Sequence, residues 1–511
     1  MLGPHTPVLV VGAGIMGAGI AQVAAQAGHA VWLFDLRPGA AAEARAKLAA
    51  TLDGLVAKGR LDAEAAQAAQ ARITPITALP EAATAGLVVE AIVEQLDAKR
   101  SLFRELEGIV ADNAVLASNT SSISVTAIAN GLQRPGRLVG MHFFNPVPLM
   151  KLVEVVSGLA TEPAVAQAIF ELSRAWGKVP VHAKSTPGFI VNRIARPYYA
   201  ETLALLQEQA ATPQVLDACL KAAGFRMGPC ELMDLIGHDT NFAVTQSVYQ
   251  ANFYDKRYVP SLVQREMVDG GLLGRKSGRG FYAYPPGVPA LPAPAAARAP
   301  DIGGAVTVHG EGPVADALEA AAARALAEQG WGPARERGSD WTGLAVDGAR
   351  LVLTDGRPAY AVAEAMGCAD LAVFDLPIAL PAAPGTALAY AVHGAASPAW
   401  QANAAAWLQA LGYTPLQLQD TPGLVVARTL AMLVNEAADA VHQGVCNREG
   451  ADAAMKLGVN YPAGPFEWLA AIGTQRVVQI LQALDDTYRG ERYRVSPWLR
   501  LAPTVPPAAT P

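Results

Sequence analysis

Val8-Leu9-Val10-Val11-Gly12-Ala13-Gly14-Ile15-Met16-Gly17 is the stretch on which the reading of the N-terminal half turns. Four apolar residues run into a G-x-G-x-x-G turn, an Ala-rich helical segment follows, and a second apolar run ends at Asp35. In a strand-turn-helix-strand setting each glycine has a job: Gly12 makes the tight turn, Gly14 lets backbone approach a pyrophosphate, and Gly17 lets the helix pack on the strand. Ile15 and Met16 open a helix whose free N–H groups face the phosphates. Asp35 is placed to accept bonds from both adenosine-ribose hydroxyls and to repel a 2′-phosphate, which predicts NAD rather than NADP. Arg37, two residues on, is the nearby cation that would read a 2′-phosphate instead.

Working outward, residues 1–184 alternate short apolar runs (8–11, 30–34, 87–92, 115–117, 138–142) with amphipathic stretches, the pattern of a parallel sheet with crossover helices. From Ser185-Thr186-Pro187-Gly188 the texture becomes helical, and 185–285 reads as an all-α domain for substrate binding or dimerisation. Residues 286–300 are Pro and Ala with little else and read as a semi-stiff linker. Alternation resumes over 301–416, a smaller α/β region with strands at 305–309, 350–354, 372–374 and 389–392. It has no complete nucleotide fingerprint. Residues 417–500 repeat the helical domain: Thr186-Pro187-Gly188-Phe189-Ile190-Val191 matches Thr421-Pro422-Gly423-Leu424-Val425-Val426, and Arg193, Glu201, Asp217 and Lys221 match Arg428, Glu436, Asp452 and Lys456. Residues 501–511 read as a flexible tail.

The chain has 511 residues, of which 52% are hydrophobic and 16% charged, enough apolar material for several packed domains. The 39 Lys+Arg against 45 Asp+Glu leave a formal charge of −6, so no global basic field holds nucleic acid. Cys219, Cys230, Cys368 and Cys446 show no CxxC spacing. They fit neither a disulfide framework nor a metal site and point to a reducing compartment. No apolar run approaches 18 residues and no charged leader opens the chain, so no membrane span and a cytoplasmic location are expected.

Two polar residues inside apolar runs carry the chemistry. His142 ends an apolar run, and Glu154 lies twelve residues on, inside Lys151-Leu152-Val153-Glu154-Val155-Val156. A buried carboxylate needs a partner. Joined to His142 by a turn with two prolines, it makes a dyad in which Glu154 orients the imidazole and stabilises its protonated form. Ser118-Asn119-Thr120-Ser121-Ser122 is a polar burst directly after an apolar strand. One hydroxyl there caps the next helix, and another stands where open α/β sheets bind ligands. Lys58 with Arg60, and Lys99 with Arg100, are basic pairs suited to solvent or to anions.

With these motifs on the page, residues 8–284 resemble the 3-hydroxyacyl-CoA dehydrogenase family. The resemblance rests on the glycine turn, Glu90-Ala91-Ile92-Val93-Glu94 with Lys99, ASNTSSIS (117–124), GMHFFNP (140–146), KSTPGFIVNR (184–193), GPCELMDLIG (228–237) and GRKSGRGFY (274–282). LVVARTLAMLVNEAADA (424–440) and GVNYPAGP (458–465) resemble the C-terminus of the phenylacetate-degradation type, whose substrate is 3-hydroxyadipyl-CoA. The resemblance implies a Rossmann-type domain and NAD-dependent oxidation of an (S)-3-hydroxyacyl-CoA. In that reading His142 is the base, Glu154 its partner, and Ser121 and Asn192 bond the substrate oxygen. Gly12, Gly14, Ile15, Met16, Gly17, Asp35, Glu94, Lys99, Ser121, Asn145 and Lys276 line the NAD site, and Lys58 meets CoA. The alternatives are a 3-hydroxybutyryl-CoA dehydrogenase, a dehydrogenase of free hydroxy acids, and a crystallin-like binder without turnover. The second helical copy keeps apolar framework residues but has Ala427 where the first has Asn192. It is therefore expected to pair with the first as an internal pseudo-dimer, leaving further homo-oligomerisation open.

Overall fold

The computed structural model describes residues 2–501 except 4, 292–299, 301–303, 328–329, 379, 381 and 384. Most of the expected linker and nearly all of the expected tail lie outside the described residues. The chain divides into two compact units, residues 1–193 with 440–459, and 194–439 with 460–511.

The first unit is built on eight strands: β1 (Val8–Val11), β2 (Val31–Phe34), β3 (Ile73–Pro75), β4 (Leu87–Glu90), β5 (Val115–Ser118), β6 (Leu138–Phe143), β7 (Leu152–Ser157) and β8 (Val179–Lys184). Their order is β3-β2-β1-β4-β5-β6-β7-β8. All neighbours are parallel except β6 and β7. The near-continuous apolar runs follow from that arrangement, because helices cover both faces and every residue of β1, β4, β5 and β6 is buried. Val11 stands level with Phe34 and Glu90, and Ser118 with Gly140. The carboxyl ends of β1, β2, β4, β5 and β6 therefore share one edge, the edge at which open α/β sheets bind ligands.

The helix Arg448–Gly458, which belongs to the repeated helical segment, packs against β7 and β8. Lys184 N–H donates to the Val445 carbonyl at 2.9 Å. Gly458 leaves no room for a side chain, since a Cβ would come within 2.7 Å of Leu152 Cδ2. Ala451, Ala454, Met455 and Gly458 form its buried stripe at helical spacing. Nothing in the sequence reading assigns this helix to the first sheet.

Among the described residues the second unit holds seven strands: β9 (Val306–His309), β10 (Ala334–Glu336), β11 (Gly343–Val346), β12 (Ala349–Leu353), β13 (Leu371–Phe374), β14 (Thr386–Val392) and β15 (Tyr413–Gln417). The order is β10-β9-β11-β12-β13-β14-β15. Three of these strands, β10, β11 and β15, are absent from the sequence reading. β11 and β12 form a hairpin through Asp347-Gly348, whose φ values of 50° and 88° suit a two-residue turn with both centres left-handed. At the far edge β14 runs antiparallel to β13 and parallel to β15, as β7 does to β6 and β8.

Helices of both repeats also meet inside this unit. The buried Arg428 guanidinium pairs with Glu201 at 2.8 Å and Glu208 at 3.1 Å. Arg257 pairs with Glu436 and Asp439. Tyr198 and Phe225 pack on Tyr461 and Trp468. The helix Pro213–Ala222 of the first repeat packs on β14.

Candidate active site

The glycine turn forms as read. Gly12 has φ +103°, and a Cβ there would lie 2.4 Å from the Ala91 carbonyl oxygen. A Cβ on Gly17 would lie 1.8 Å from the Gly12 oxygen, so helix and strand touch at that point. At Gly14 a Cβ would meet nothing within 4 Å. That space is left open above the start of the helix Ile15–Gln26, whose N-terminus has no side-chain cap and no acid in its first turn. Asp35 follows β2 and accepts the Ala13 N–H at 2.7 Å, which fixes its carboxylate beside the turn. Arg37 lies 3.9 Å from Glu43 with both side chains largely exposed. An open cradle, free helix N–H groups and an acid beside them are the donor set a dinucleotide pyrophosphate and ribose require.

At the ends of β4 and β5 a second set converges. Glu94 Oε1 accepts from Thr120 Oγ1 at 2.7 Å and from the Ser121 and Ser122 N–H groups at 2.9 and 3.1 Å. Burial pushes the Glu94 carboxyl up, but the Lys99 charge and the Thr120 and Ser121 hydrogen bonds outweigh it and hold the group low. Lys99 is 1% exposed, with its ammonium 2.6 Å from Glu90 and 3.2 Å from Glu94. It thus supports the loop through Glu94 rather than presenting its own charge. Glu90, which also accepts from Ser118 Oγ at 2.6 Å, is a residue of this network that the sequence reading leaves without a role.

The antiparallel register sets His142 directly opposite Glu154. Nδ1 of His142 lies 2.5 Å from Glu154 Oε2, and both side chains are buried. Glu154 Oε1 accepts the Ile190 and Val191 N–H groups at 2.9 and 3.0 Å. A carboxylate that receives two N–H donors is the acceptor here, so the proton rests on Nδ1 and the Nε2 lone pair is the basic site. Phe144 and Phe189 flank the imidazole, with ring centroids at 4.5 and 5.8 Å. Asn119 Oδ1 accepts the Phe143 N–H at 2.8 Å, which ties the end of β5 to the end of β6. Sequence reasoning passed over Asn119 within the polar burst.

Asn192 Nδ2 donates to the Ser121 carbonyl at 3.4 Å, so the structure brings Ser121, Asn192, Glu94 and the dyad-bearing strands into one unit. Asn145 is exposed beyond β6, next to the cis Asn145–Pro146 bond. Lys58 is exposed at the end of the helix Ala40–Ala57. Lys276 belongs to the second unit, where it pairs with Asp239 at 2.5 Å. Among the described residues no group of three His, Cys, Asp or Glu side chains can hold a metal ion.

The 3-hydroxyacyl-CoA dehydrogenase NAD-binding-domain model matches residues 7–186, and the C-terminal-domain model of that family matches 188–284 and again 423–502. The chain belongs to the 3-hydroxyacyl-CoA dehydrogenase family. It is an NAD-dependent oxidoreductase with a Rossmann-type domain followed by helical ones. Residues 351–422 match a 3-hydroxybutyryl-CoA dehydrogenase reduced Rossmann-fold domain. The 3-hydroxyadipyl-CoA dehydrogenase of Escherichia coli is 42% identical over 96% of both chains. A crystal structure described as 3-hydroxybutyryl-CoA dehydrogenase, from Escherichia coli K12, superposes with a TM-score of 0.86 at 41% identity, covering 97% of this chain and 98% of that one. A probable 3-hydroxybutyryl-CoA dehydrogenase of Bacillus subtilis is 41% identical over 54% of this chain and 96% of its own.

This dehydrogenase carries a reduced counterpart of its Glu154 contact. Asp375 follows β13 and accepts the Val425 and Val426 N–H groups at 2.9 and 2.7 Å and that of Ala427 at 2.9 Å. Val425 and Val426 are the repeat equivalents of Ile190 and Val191, so each Thr-Pro-Gly turn is held by a buried carboxylate. The described residues pair no histidine with Asp375. Burial pushes the Asp375 carboxyl up to about 6, against the pull of its backbone donors. A raised folded value means that ionisation costs stability as pH rises through 6, and that the cost is gone below the unfolded value near ~3.9. Relative to Asp375→Asn, the wild type should therefore gain up to about 3 kcal/mol between pH 7 and pH 4, at about 1.4 per pKa unit. Denaturant midpoints of both proteins across that range measure it, and a pH-independent difference would exclude a raised Asp375 carboxyl.

Asp35 gives a second expected outcome. Asp35→Ser removes the charge that repels a 2′-phosphate and the Ala13 contact together. The NAD:NADP ratio of kcat/KM should fall by roughly tenfold, about 1.4 kcal/mol. An unchanged ratio would shift cofactor choice to another residue, with Arg37 the first to test.

Proposed function

We propose that this dehydrogenase oxidises the 3-hydroxyl of (S)-3-hydroxyadipyl-CoA to the 3-oxoacyl-CoA, in the breakdown of phenylacetate and in the cytoplasm. The observation that carries the chemistry is the buried His142–Glu154 pair, with Nδ1 engaged and Nε2 left basic. His142 Nε2 takes the hydroxyl proton as the C–O bond becomes a carbonyl. Bound at the glycine turn, NAD would supply the acceptor for the C3 hydride. Glu154 stabilises the imidazolium and keeps its tautomer, because its second oxygen is fixed by the Ile190 and Val191 N–H groups. The Ser121 hydroxyl and the Asn192 amide polarise the substrate oxygen. Gly12, Gly14, Ile15, Met16, Gly17 and Asp35 hold the dinucleotide, Glu94 orders the Ser121 loop beside it, and Asn145 completes the cofactor set. Lys58 meets the CoA phosphates.

The name of the Escherichia coli relative with 96% mutual coverage supports the adipyl chain. The name of the solved structure favours the alternative, 3-hydroxybutyryl-CoA. No described helix is long and apolar enough to cross a membrane, in keeping with the cytoplasm. Buried contacts from Arg428, Tyr461 and Trp468 to first-repeat residues support an internal pseudo-dimer of the helical repeats. Initial rates of NADH formation with the two thioesters and with the free acid test the reading. A kcat/KM at least tenfold higher for 3-hydroxyadipyl-CoA is expected, with no turnover of the free acid. A preference for the four-carbon thioester would overturn the adipyl assignment.

A further inference from the structure

Residues 440–459 of the second helical repeat belong to the first unit, where the His142–Glu154 pair lies. They grip both ends of the segment Lys184–Arg193, whose backbone donates to Glu154. Lys184 N–H donates to the Val445 carbonyl at 2.9 Å, and Arg193 Nη1 donates to Gln443 Oε1 at 2.8 Å. Burial pushes the Cys446 thiol up to about 12, and the neighbouring Glu154 charge adds to that rise. Gly458, the last residue of the helix Arg448–Gly458, meets the stretch between those ends. A Cβ on it would lie 2.7 Å from Leu152 Cδ2, 3.0 Å from Val191 Cγ2 and 3.6 Å from Phe144 Cε1. Each of the three bears on the dyad. Leu152 points to the same face of β7 as Glu154, two residues on. Val191 supplies one of the two N–H groups on Glu154 Oε1, and Phe144 stands against the imidazole. Gly458 has no positive φ, so room rather than backbone freedom is what glycine gives here, at a cost to the helix.

The repeat supplies an internal comparison. Continuing the match of Lys221 with Lys456, Gly458 corresponds to Ala223. In the second unit Ala223 is buried and lines a small cavity with Leu388 of β14 and with Val426, the repeat equivalent of Val191. The same contact takes a methyl where the buried carboxylate is Asp375, and none where it is Glu154. We propose that Gly458 is a positioning residue for the His142–Glu154 dyad. By carrying no side chain it lets the second repeat close on Leu152 and Val191 and hold the Val191 N–H on Glu154. The proposal rests on the dyad reading above.

The test uses the full chain. A methyl at 458 must displace Leu152 or Val191, and misplacement by about 1 Å costs about 10²-fold in rate. Gly458→Ala should therefore lower kcat roughly tenfold while the KM for NAD and the NADH affinity stay within about twofold. The His142 Nδ1 proton, in a 2.5 Å bond to a carboxylate, should give a far-downfield resonance, and Gly458→Ala should shift it. Adding Leu152→Val, which shortens the side chain that the new methyl meets, should restore most of the lost kcat. Ala223→Gly, the mirror change, should leave kcat unaltered. A wild-type kcat or an unmoved resonance in Gly458→Ala overturns the proposal. So does a loss of NADH affinity in step with kcat, which is a general weakening of the fold, or an equal loss of kcat in Ala223→Gly. His142→Ala separates the two readings. If it keeps kcat, the dyad reading fails and the role of Gly458 with it. If it loses kcat and Gly458→Ala does not, the dyad stands and the Gly458 proposal alone falls. Where Gly458→Ala does not fold, Val191→Ala keeps the N–H donor and removes the side chain that Gly458 faces. A lower kcat at unchanged KM for NAD then supports the proposal, and a wild-type kcat overturns it.

Discussion

His142→Ala should lower kcat by roughly 10²–10⁴, the usual worth of a positioned general base, while NADH binding stays within a few-fold of wild type. The separation follows from where the two sets of groups lie. The glycine turn and Asp35 sit at the ends of β1 and β2, and the imidazole sits on β6 against β7. Glu154→Gln should also lose rate, for a reason the hydrogen bonds make specific. The two oxygens of Glu154 serve three donors, His142 on one side and Ile190 and Val191 on the other. A Gln has one oxygen. If the oxygen faces the backbone, the amide NH₂ faces Nδ1, the imidazole proton moves to Nε2, and the base is lost. If the oxygen faces Nδ1, two buried N–H groups meet an NH₂, at roughly 1–3 kcal/mol each. The expected outcome is a fall in kcat of roughly 10²-fold or more, by analogy with other general bases, accompanied by a lower unfolding temperature. Stopped-flow NADH formation and fluorescence titration with NADH check both variants. Near-normal kcat in either would remove the dyad from the mechanism.

The parts of this site that were legible in sequence are those in which local pattern and chemistry coincide. Gly12, Gly14 and Gly17 can be read because backbone sterics require glycine at fixed offsets, and the Cβ positions at Gly12 and Gly17 show that requirement. Glu154 can be read because a carboxylate inside Leu152–Ser157 has no solvent to turn to. The Ser121 loop was legible as polar, but its organiser was less so. That Glu94 gathers Thr120, Ser121 and Ser122 depends on two strand ends lying side by side, which spacing does not encode. Lys99 entered the cofactor set through the family resemblance alone, and its burial between Glu90 and Glu94 depends on strand ends that local spacing does not bring together. The Asp347-Gly348 turn was available as a hairpin signal between apolar runs and went unread. Asp375 was out of reach. Its counterpart Glu154 lies within a strand, whereas Asp375 lies just past the end of one, so the repeat alignment pairs neither the residues nor their offsets.

Cutting the chain after about residue 290 should leave a fragment that does not persist as a folded monomer. Two losses drive this, one in each unit. In the first, removal of the helix Arg448–Gly458 uncovers its apolar contacts on β7 and β8, the strand of Glu154 and its neighbour. Leu152 and Val191, now against Gly458, become solvent-facing. In the second, Glu201 is fully buried and loses both Arg428 and Arg492. A buried carboxylate stripped of its partners costs roughly 3–5 kcal/mol, a large part of a domain's ~5–15 kcal/mol. The fragment nevertheless retains a helix of the right kind. Pro213–Ala222 is the first-repeat equivalent of Arg448–Gly458, with Asp217 and Lys221 matching Asp452 and Lys456, and it packs on β14 as its equivalent packs on β7. With β14 gone, that helix is free to cover β7 and β8 of a second fragment, and a reciprocal exchange closes a two-fold dimer. The expected species is therefore an active dimer, or an aggregate where the exchange fails to close. Light scattering on the eluting fragment, with NADH formation assayed on the same fractions, measures both. A soluble, fully active monomer would show that the second repeat is an appendage, and would end the pseudo-dimer reading.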